Sequence, residues 1–434
     1  MSGVRFFYDA LVVCLLAFAS PYFLYQALRY RKYAPSFRQR FWVSPDVSGV
    51  ATAESVWIHA VSVGEVLAAR VLIPRLRECY PGLRVVVSTT TITGQQVART
   101  ALEEVDEVFY CPIDLSFSVT RAVNRFRPRL FIMMESEIWP NLLYACRRNG
   151  TKIVLVNGRI SLNSYKRYLL VRPLLKHVLS WISHFCVQDE EAASRLVALG
   201  ADSQKITITK SLKFDALDVQ TTIETDVKRY FHVAPGRQVV VAASTQLKEE
   251  NYVLEAFGNV RKRVENLLLV IAPRHPERFA EVERIVARAG YRVVRRSELR
   301  IDTEPLADVV LLDTIGELAQ LYPIATVVFV GGSLVPTGGH NILEPARFGK
   351  PIVFGHHMEN FAEIAELFLS NKAAWQVRSV RELEEALVVL LSDSIQSARF
   401  GAAALALIEE NRGALEETLK SIEAVMRSQK IAVR

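Results

Sequence analysis

The chain is poor in cysteine, methionine and tryptophan, with five of each in 434 residues. Cys14, Cys79, Cys111, Cys146 and Cys186 are odd in number, scattered and without CxxC spacing. That argues against a zinc site and for reduced thiols in a cytosolic compartment. The sequence also lacks a 20–50-residue repeat and any low-complexity tract, so a folded protein is expected throughout. It has no Walker A motif and no GxGxxG after a first strand, which argues against a P-loop enzyme or a dehydrogenase. Neither HExxH nor an Asp-rich loop suggests a metal. No Lys/Arg stripe interleaved with aromatics suggests nucleic acid.

What is present is first a charge at one end. The net charge is +7, but Arg5, Arg29, Arg31, Lys32, Arg38 and Arg40 against Asp9 place +5 of it in the first 40 residues. Residues 10–27 are uncharged and apolar, near the lower limit for a membrane span. The basic flank that follows predicts a cytoplasmic C-terminal side. Ala17-Phe18-Ala19 also fits a signal-peptide cleavage site. The reduced cysteines and basic flank favour a retained anchor, spanning or interfacial, over residues 1–32.

From about 50 to 210, β-rich runs alternate with helical patterns: SVWIHAV, LRVVVSTTT, EVFYCPI, PRLFIMME, KIVLVNG, HFCVQ and ITITKS. Such alternation is the signature of βαβ units around a parallel sheet. A polar stretch ending in Pro235-Gly236 suits a linker. A second block follows, with QVVVAAST, NLLLVIAPRHP, YRVVRR, DVVLLDT, ATVVFVGGS and KPIVFG, and then a helical tail. The expectation is α/β, with two doubly wound Rossmann-like domains, ligands binding outside the carboxyl ends of their strands. The boundaries drawn are an anchor at 1–32, a first domain at 33–215, a linker at 216–236, a second domain at 237–405 and a tail at 406–434.

The predicted strand ends carry the chemistry. In the second block they present Arg274 and His275, and then a glycine-rich run with Gly338, Gly339 and Asn341 before a helix containing Glu344. Glycines ahead of a helix N-terminus offer backbone N–H groups to an anion. Arg274 adds a cation unless it pairs with Glu277, and Glu344 suits a ribose diol. In the first block the ends present Glu65, Thr93-Gly94, Glu135, Glu137 and Arg159, a carboxylate- and hydroxyl-rich face suited to an alcohol acceptor. The competing reading is capping: Glu137 at the helix expected near Pro140, and Glu65 in a first helical turn. As a base, Glu65 needs burial to raise its basicity. Gly64 before it is expected to serve a tight turn.

Eight stretches in order resemble the 3-deoxy-D-manno-octulosonic acid (Kdo) transferases of lipopolysaccharide synthesis. They are HAVSVGE (59–65), STTTITG (88–94), ESEIWPN (135–141), NGRIS (157–161), LKFD (212–215), PRHPERF (273–279), DTIGEL (313–318) and GGSLVPTGGHNILEPA (331–346). The resemblance implies a GT-B fold, two domains facing across a cleft. It implies transfer of Kdo from CMP-Kdo to a lipid A precursor at the cytoplasmic face of the inner membrane, with inversion and no metal or other cofactor. It makes Glu65 the general base. It puts Arg274, His275, Gly338, Gly339, Asn341, Glu344, Lys213, Ser244 and Thr245 on the donor, and Ser62, Gly64, Thr93, Gly94, Glu135, Glu137 and Arg159 on the acceptor. Other readings are a GT-B transferase using another nucleotide sugar, and a weakened relative that binds without turnover.

The sequence departs from the family pattern in two places. Ala243, Gln246 and Lys248 stand where the family usually has Gly, His and Gly, and Lys210 stands where it usually has glycine before LKFD. Lost glycines are expected to limit close backbone approach to phosphate on the donor side.

Overall fold

The computed structural model describes residues 5–18, 40, 54–102, 104–219, 233–300 and 303–431. They form two compact α/β units. The first comprises residues 1–216 and 412–434, and the second residues 217–411.

The first unit holds β1 (Ser55–His59), β2 (Arg84–Thr89), β3 (Glu107–Tyr110), β4 (Pro128–Met134), β5 (Lys152–Gly158), β6 (His184–Val187) and β7 (Ile206–Ile208). All pairings are parallel, in the order β3-β2-β1-β4-β5-β6-β7. Strands covered by helices on both faces must be apolar on both, which explains runs such as Val56-Trp57-Ile58. Trp57 enters one core cluster with Phe109, Phe126 and Phe131, while Val56 and Ile58 enter the cluster on the opposite face.

The second unit holds β8 (Gln238–Thr245), β9 (Leu267–Pro273), β10 (Val293–Arg295), β11 (Val309–Leu311), β12 (Val327–Val330), β13 (Ile352–Gly355) and β14 (Trp375–Val377). These too are parallel, in the order β10-β11-β9-β8-β12-β13-β14. The six strands read from the sequence are present. The seventh, β14, is a three-residue edge strand too short to leave a pattern.

Two boundaries fall elsewhere than drawn. The helix Leu212–Val219 continues past 215, and the chain passes between units at 216/217, so the stretch drawn as a linker begins inside a helix; its residues 220–232 lie outside the described part. The return crossing is at 411/412, not 405/406, because the helix Ser394–Asn411 is one continuous element. The final helix, Ala414–Ile431, belongs to the first unit, where Ala414, Leu419, Ile422 and Met426 join the core cluster of Val56 and Ile58. Asp215 ties the outgoing and returning chain together: Gly413 N–H donates to Oδ1 at 3.0 Å and Leu415 N–H to Oδ2 at 2.6 Å.

At the N-terminus, residues 5–18 are helical. Residues 1–4 and 19–32 of the expected anchor lie outside the described residues. Among the described residues no helix is long and apolar enough to cross a membrane. The helix is fastened by its polar side: Arg5 donates to Asn141 and Ser116, Tyr8 donates to Asp114, and Asp9 accepts from Ser116 N–H and Asn141.

Asp215→Ala leaves two buried-end N–H groups without their acceptor, so it should lower the stability of the first unit by about 2 kcal/mol. Denaturant unfolding checks this, and an unchanged midpoint refutes the tie.

Candidate active site

In each sheet the strand order reverses at one point, and open α/β sheets bind ligands outside the carboxyl ends there. In the first sheet the reversal lies between β1 and β4, in the second between β8 and β12. The sequence-selected residues follow these strands and their neighbours.

After β1, Ser62 is the N-cap of the helix Val63–Cys79, and Glu65 is the third residue of that helix. The Glu65 carboxylate accepts the Val61 N–H at 2.8 Å and the Ser62 hydroxyl at 2.9 Å. The expected capping role is thus present in the structure. Glu65 is only 5% exposed. Burial, then repulsion from Glu135, raises its pKa to about 7, against the pull of the Val61 and Ser62 hydrogen bonds. A carboxylate that titrates near neutrality is matched to accepting a hydroxyl proton.

Gly64 is not required by the turn. It has no positive φ, and a Cβ there would meet nothing closer than Ser62 Oγ at 4.0 Å. What the absent side chain leaves is open space beside Glu65. Gly94 is the glycine the geometry demands: a Cβ would come 2.7 Å from Thr91 Oγ1 and 3.0 Å from the Val61 carbonyl. Thr91 donates to that same carbonyl through its hydroxyl at 3.0 Å and its N–H at 3.2 Å. Thr93 is exposed in the first turn of the same helix.

After β4, Glu135 adopts a left-handed conformation, φ 53°, and its carboxylate lies 3.2 Å from the Lys213 ammonium. Lys213, given to the donor by the resemblance, is thus part of the first unit's carboxylate group. Burial raises the Glu137 pKa, with the Trp139 indole opposing and Glu135 adding. Neither glutamate caps the helix Pro140–Arg148. Asp114 does so, accepting Asn141 N–H at 3.1 Å and Leu142 N–H at 2.8 Å. Arg159 lies half-buried just beyond β5. Asn157, at the end of β5 with φ 57°, accepts the Leu212 N–H at 3.1 Å, while its side-chain amide nitrogen is buried without a partner. The Asn-Gly pair marks this left-handed turn in the sequence.

In the second unit, Arg274 follows β9, is exposed, and forms no salt bridge among the described residues. Glu277 sits instead 3.7 Å from His275. The Thr245 hydroxyl faces inward, donating to Glu250 at 3.1 Å; Glu250 is in turn held by Arg278. It supports the fold rather than presenting itself to a ligand. Ser244 is half-buried at φ 55°.

The glycine-rich segment divides in two. The N–H groups of Gly332, Ser333 and Leu334 donate to the buried Glu249 carboxylate at 2.7, 3.1 and 2.9 Å, and Gln246 N–H does so at 3.1 Å. These donors are occupied by the protein itself. Burial raises the Glu249 pKa, opposed by the four N–H groups. Gly338 and Gly339 both require φ > 0, at 91° and 74°. The helix Leu343–Ala346 has only four residues, too short for the expected dipole site. Asn341 instead caps it, accepting Leu343 N–H at 3.1 Å and donating to Glu344 at 3.3 Å. Burial raises the Glu344 pKa, while Asn341, Arg274 and Tyr322 oppose.

Two further groups carry little sequence signal. Gln246 donates to His340 Nε2 at 3.1 Å. Burial, Arg274 and His275 lower the His340 pKa to about 4, so the ring is neutral, and this hydrogen bond assigns its proton to Nδ1. Two of the altered positions keep glycine-like geometry, Lys210 at φ 65° and Lys248 at φ 76°; Ala243, which also replaces a glycine, has no positive φ. Among the described residues no three His, Cys, Asp or Glu side chains gather as a metal site.

Two parallel-sheet α/β units with polar groups at both switch points have the architecture of GT-B-type glycosyltransferases. MurG of Acinetobacter baumannii is similar at TM-score 0.53 and 12% identity, over 86% of this chain and 99% of that one. A Neisseria meningitidis UDP-GlcNAc 2-epimerase is similar at TM-score 0.55 and 11% identity, over 86% and 100%; at such identities the likeness concerns the fold alone. The model of the family described as 3-deoxy-D-manno-octulosonic-acid transferase (kdotransferase) matches residues 35–216. A 3-deoxy-D-manno-octulosonic acid transferase of Haemophilus influenzae is 34% identical over 96% of this chain and 97% of its own length. One of Bordetella pertussis is 33% identical over 86% and 87%. The chain belongs to the Kdo transferase family.

Because the folded Glu65 pKa lies above the ordinary 4.5, the folded state binds the extra proton between about pH 4.5 and 7. Stability is then lost as pH rises through that window. Glu65→Gln should therefore gain about 2–3 kcal/mol relative to the parent between pH 5 and pH 8 in paired denaturant melts. A pH-independent difference contradicts the raised pKa. Glu249→Ala strands four N–H groups and should cost about 3 kcal/mol; thermal unfolding of the second unit unchanged from the parent refutes the cage.

Proposed function

We propose that the chain transfers Kdo from CMP-Kdo to a lipid A precursor, as an inverting, metal-independent enzyme with no cofactor. We place it at the cytoplasmic face of the inner membrane, held by its N-terminal segment. The observation that carries this reading is Glu65: a buried carboxylate with a pKa of about 7, beside Glu135, at the first sheet's switch point. Membership of the family supports the donor and acceptor.

In the proposed step Glu65 takes the proton of the acceptor hydroxyl. The hydroxyl oxygen forms its bond to the anomeric carbon of Kdo on the face opposite CMP. The bond from that carbon to the phosphate oxygen breaks, and its electron pair leaves with CMP. Arg274 supplies positive charge to the developing phosphate anion, which lowers the barrier most where water is excluded. His340 stays neutral and donates through Nδ1, so it adds a hydrogen bond without a second fixed charge. Lys213, oriented by Glu135, serves the donor carboxylate. Because Glu65 acts when ionised, kcat/KM rises with pH through about 7.

Incubation of the full chain with CMP-Kdo and a tetraacylated lipid A precursor, read by mass shift, tests the reading. The expected result is addition of Kdo, unaffected by chelator, with Glu65→Gln reduced about 10²–10⁴-fold. Activity of Glu65→Gln within a few-fold of the parent removes the base assignment. No turnover by the parent, or turnover only with another nucleotide sugar, removes the donor assignment.

A further inference from the structure

The first unit contains a cavity of about 410 Å³ that none of the chemistry above uses. One wall is the N-terminal helix, through Leu11, Val12, Leu15 and Leu16, and the opposite wall includes Ile113 and Trp139. We propose that this cavity receives one fatty-acyl chain of an anionic amphiphile, the lipid acceptor of the reaction. The inference rests on the lipid-acceptor reading and specifies where its apolar part lies.

Three observations carry it. The volume falls within the range of small-ligand sites, and the helix lines the wall with four aliphatic side chains beside Tyr8. Second, the helix is fastened through Arg5, Tyr8 and Asp9, so its other side is left bare: Phe6, Phe7, Val13 and Phe18 are 71, 75, 52 and 89% exposed. An amphipathic helix with polar groups tied to protein and aromatic groups outward suits a lipid surface, from which a chain can enter. Third, the rim is charged and joins the carboxylate site. Arg40 stands at the cavity wall, donating to the Thr90 carbonyl and lying over the Tyr110 ring. Its charge complements a phosphorylated headgroup. Asp114 also lines the wall, but its oxygens are engaged by Tyr8, Asn141 and Leu142.

The continuity is short in chain terms. Thr90 precedes Thr91, which holds the Val61 peptide against which Glu65 rests, and Trp139 adjoins Glu137. A chain seated between the helix and Trp139 presents its headgroup toward Arg40 and Thr90, the residue next to Thr91.

Two readouts test this. A single-chain lysophospholipid brominated on its acyl chain, kept below its micelle concentration, should quench the tryptophan fluorescence of the full chain. Trp139→Phe should remove at least half of that quenching. In kinetics, Val12→Trp fills the cavity and should raise KM for the tetraacylated acceptor about ten-fold. KM for the fully deacylated acceptor and for CMP-Kdo should stay as in the parent. Quenching indifferent to Trp139 overturns the proposal, as does a Val12→Trp effect equal on acylated and deacylated acceptors. Trp139-dependent quenching in a protein that shows no Kdo transfer upholds the cavity and removes the proposed function instead. Absence of quenching, with the cavity filled by another part of this chain, overturns it.

Discussion

The Val61 peptide is the constraint on which the first unit's chemistry depends. Its N–H is bound by the Glu65 carboxylate, and its carbonyl is bound by Thr91 from the neighbouring loop. Gly94 admits the close approach that this requires. One peptide unit thus locks the turn after β1 to the turn after β2, with Glu65 as part of the lock. Burial and the nearby Glu135 make the charged carboxylate expensive, while the Val61 and Ser62 hydrogen bonds hold it in place. A carboxylate of this kind is more basic because its surroundings disfavour its charge, and it is held still because the same surroundings fix its position.

The second unit solves the opposite problem, that of presenting positive charge. Arg274 is exposed and unpaired among the described residues, while the other charged groups around it are tied up. Glu250 is occupied by Arg278, Glu344 by Asn341, and Glu249 by four peptide N–H groups. His340, whose pKa Arg274 helps to lower, is neutral. Arg274 therefore stays exposed and outside any salt bridge among the described residues, with the buried Glu344 the carboxylate that feels its charge.

Much of this was legible from residues alone. Both sheets follow from apolar runs ending in small or polar residues, because parallel strands buried on both faces leave that signature. Glu135 and Arg274 were legible because each stands directly after such a run, and Glu65 because it opens the helix that follows one. What could not be read was who bonds to whom. Asn341 and Glu344 looked like ligand groups and bond to each other; Thr245 looked available and faces Glu250. Gly64 looked structural and is not, whereas Gly94 is. Spacing along a strand end fixes where a side chain starts, but partners come from other loops brought in by the sheet order. The altered loop gave the sharpest difference. Loss of glycine at 210 and 248 suggested a changed backbone, yet both lysines adopt the left-handed conformation at the expense of about 1–2 kcal/mol of local strain each.

The Glu249 cage has a consequence for how the second unit meets a ligand. A loop whose N–H groups waited for phosphate would stay loose until phosphate arrived, and binding would carry the entropy of ordering it. Here the chain supplies the anion from its own interior, so the loop is folded before any ligand comes. Salt and stray phosphate have nothing to compete for at those donors. The glutamate is, in effect, a permanent tenant that keeps the room in shape for visitors next door.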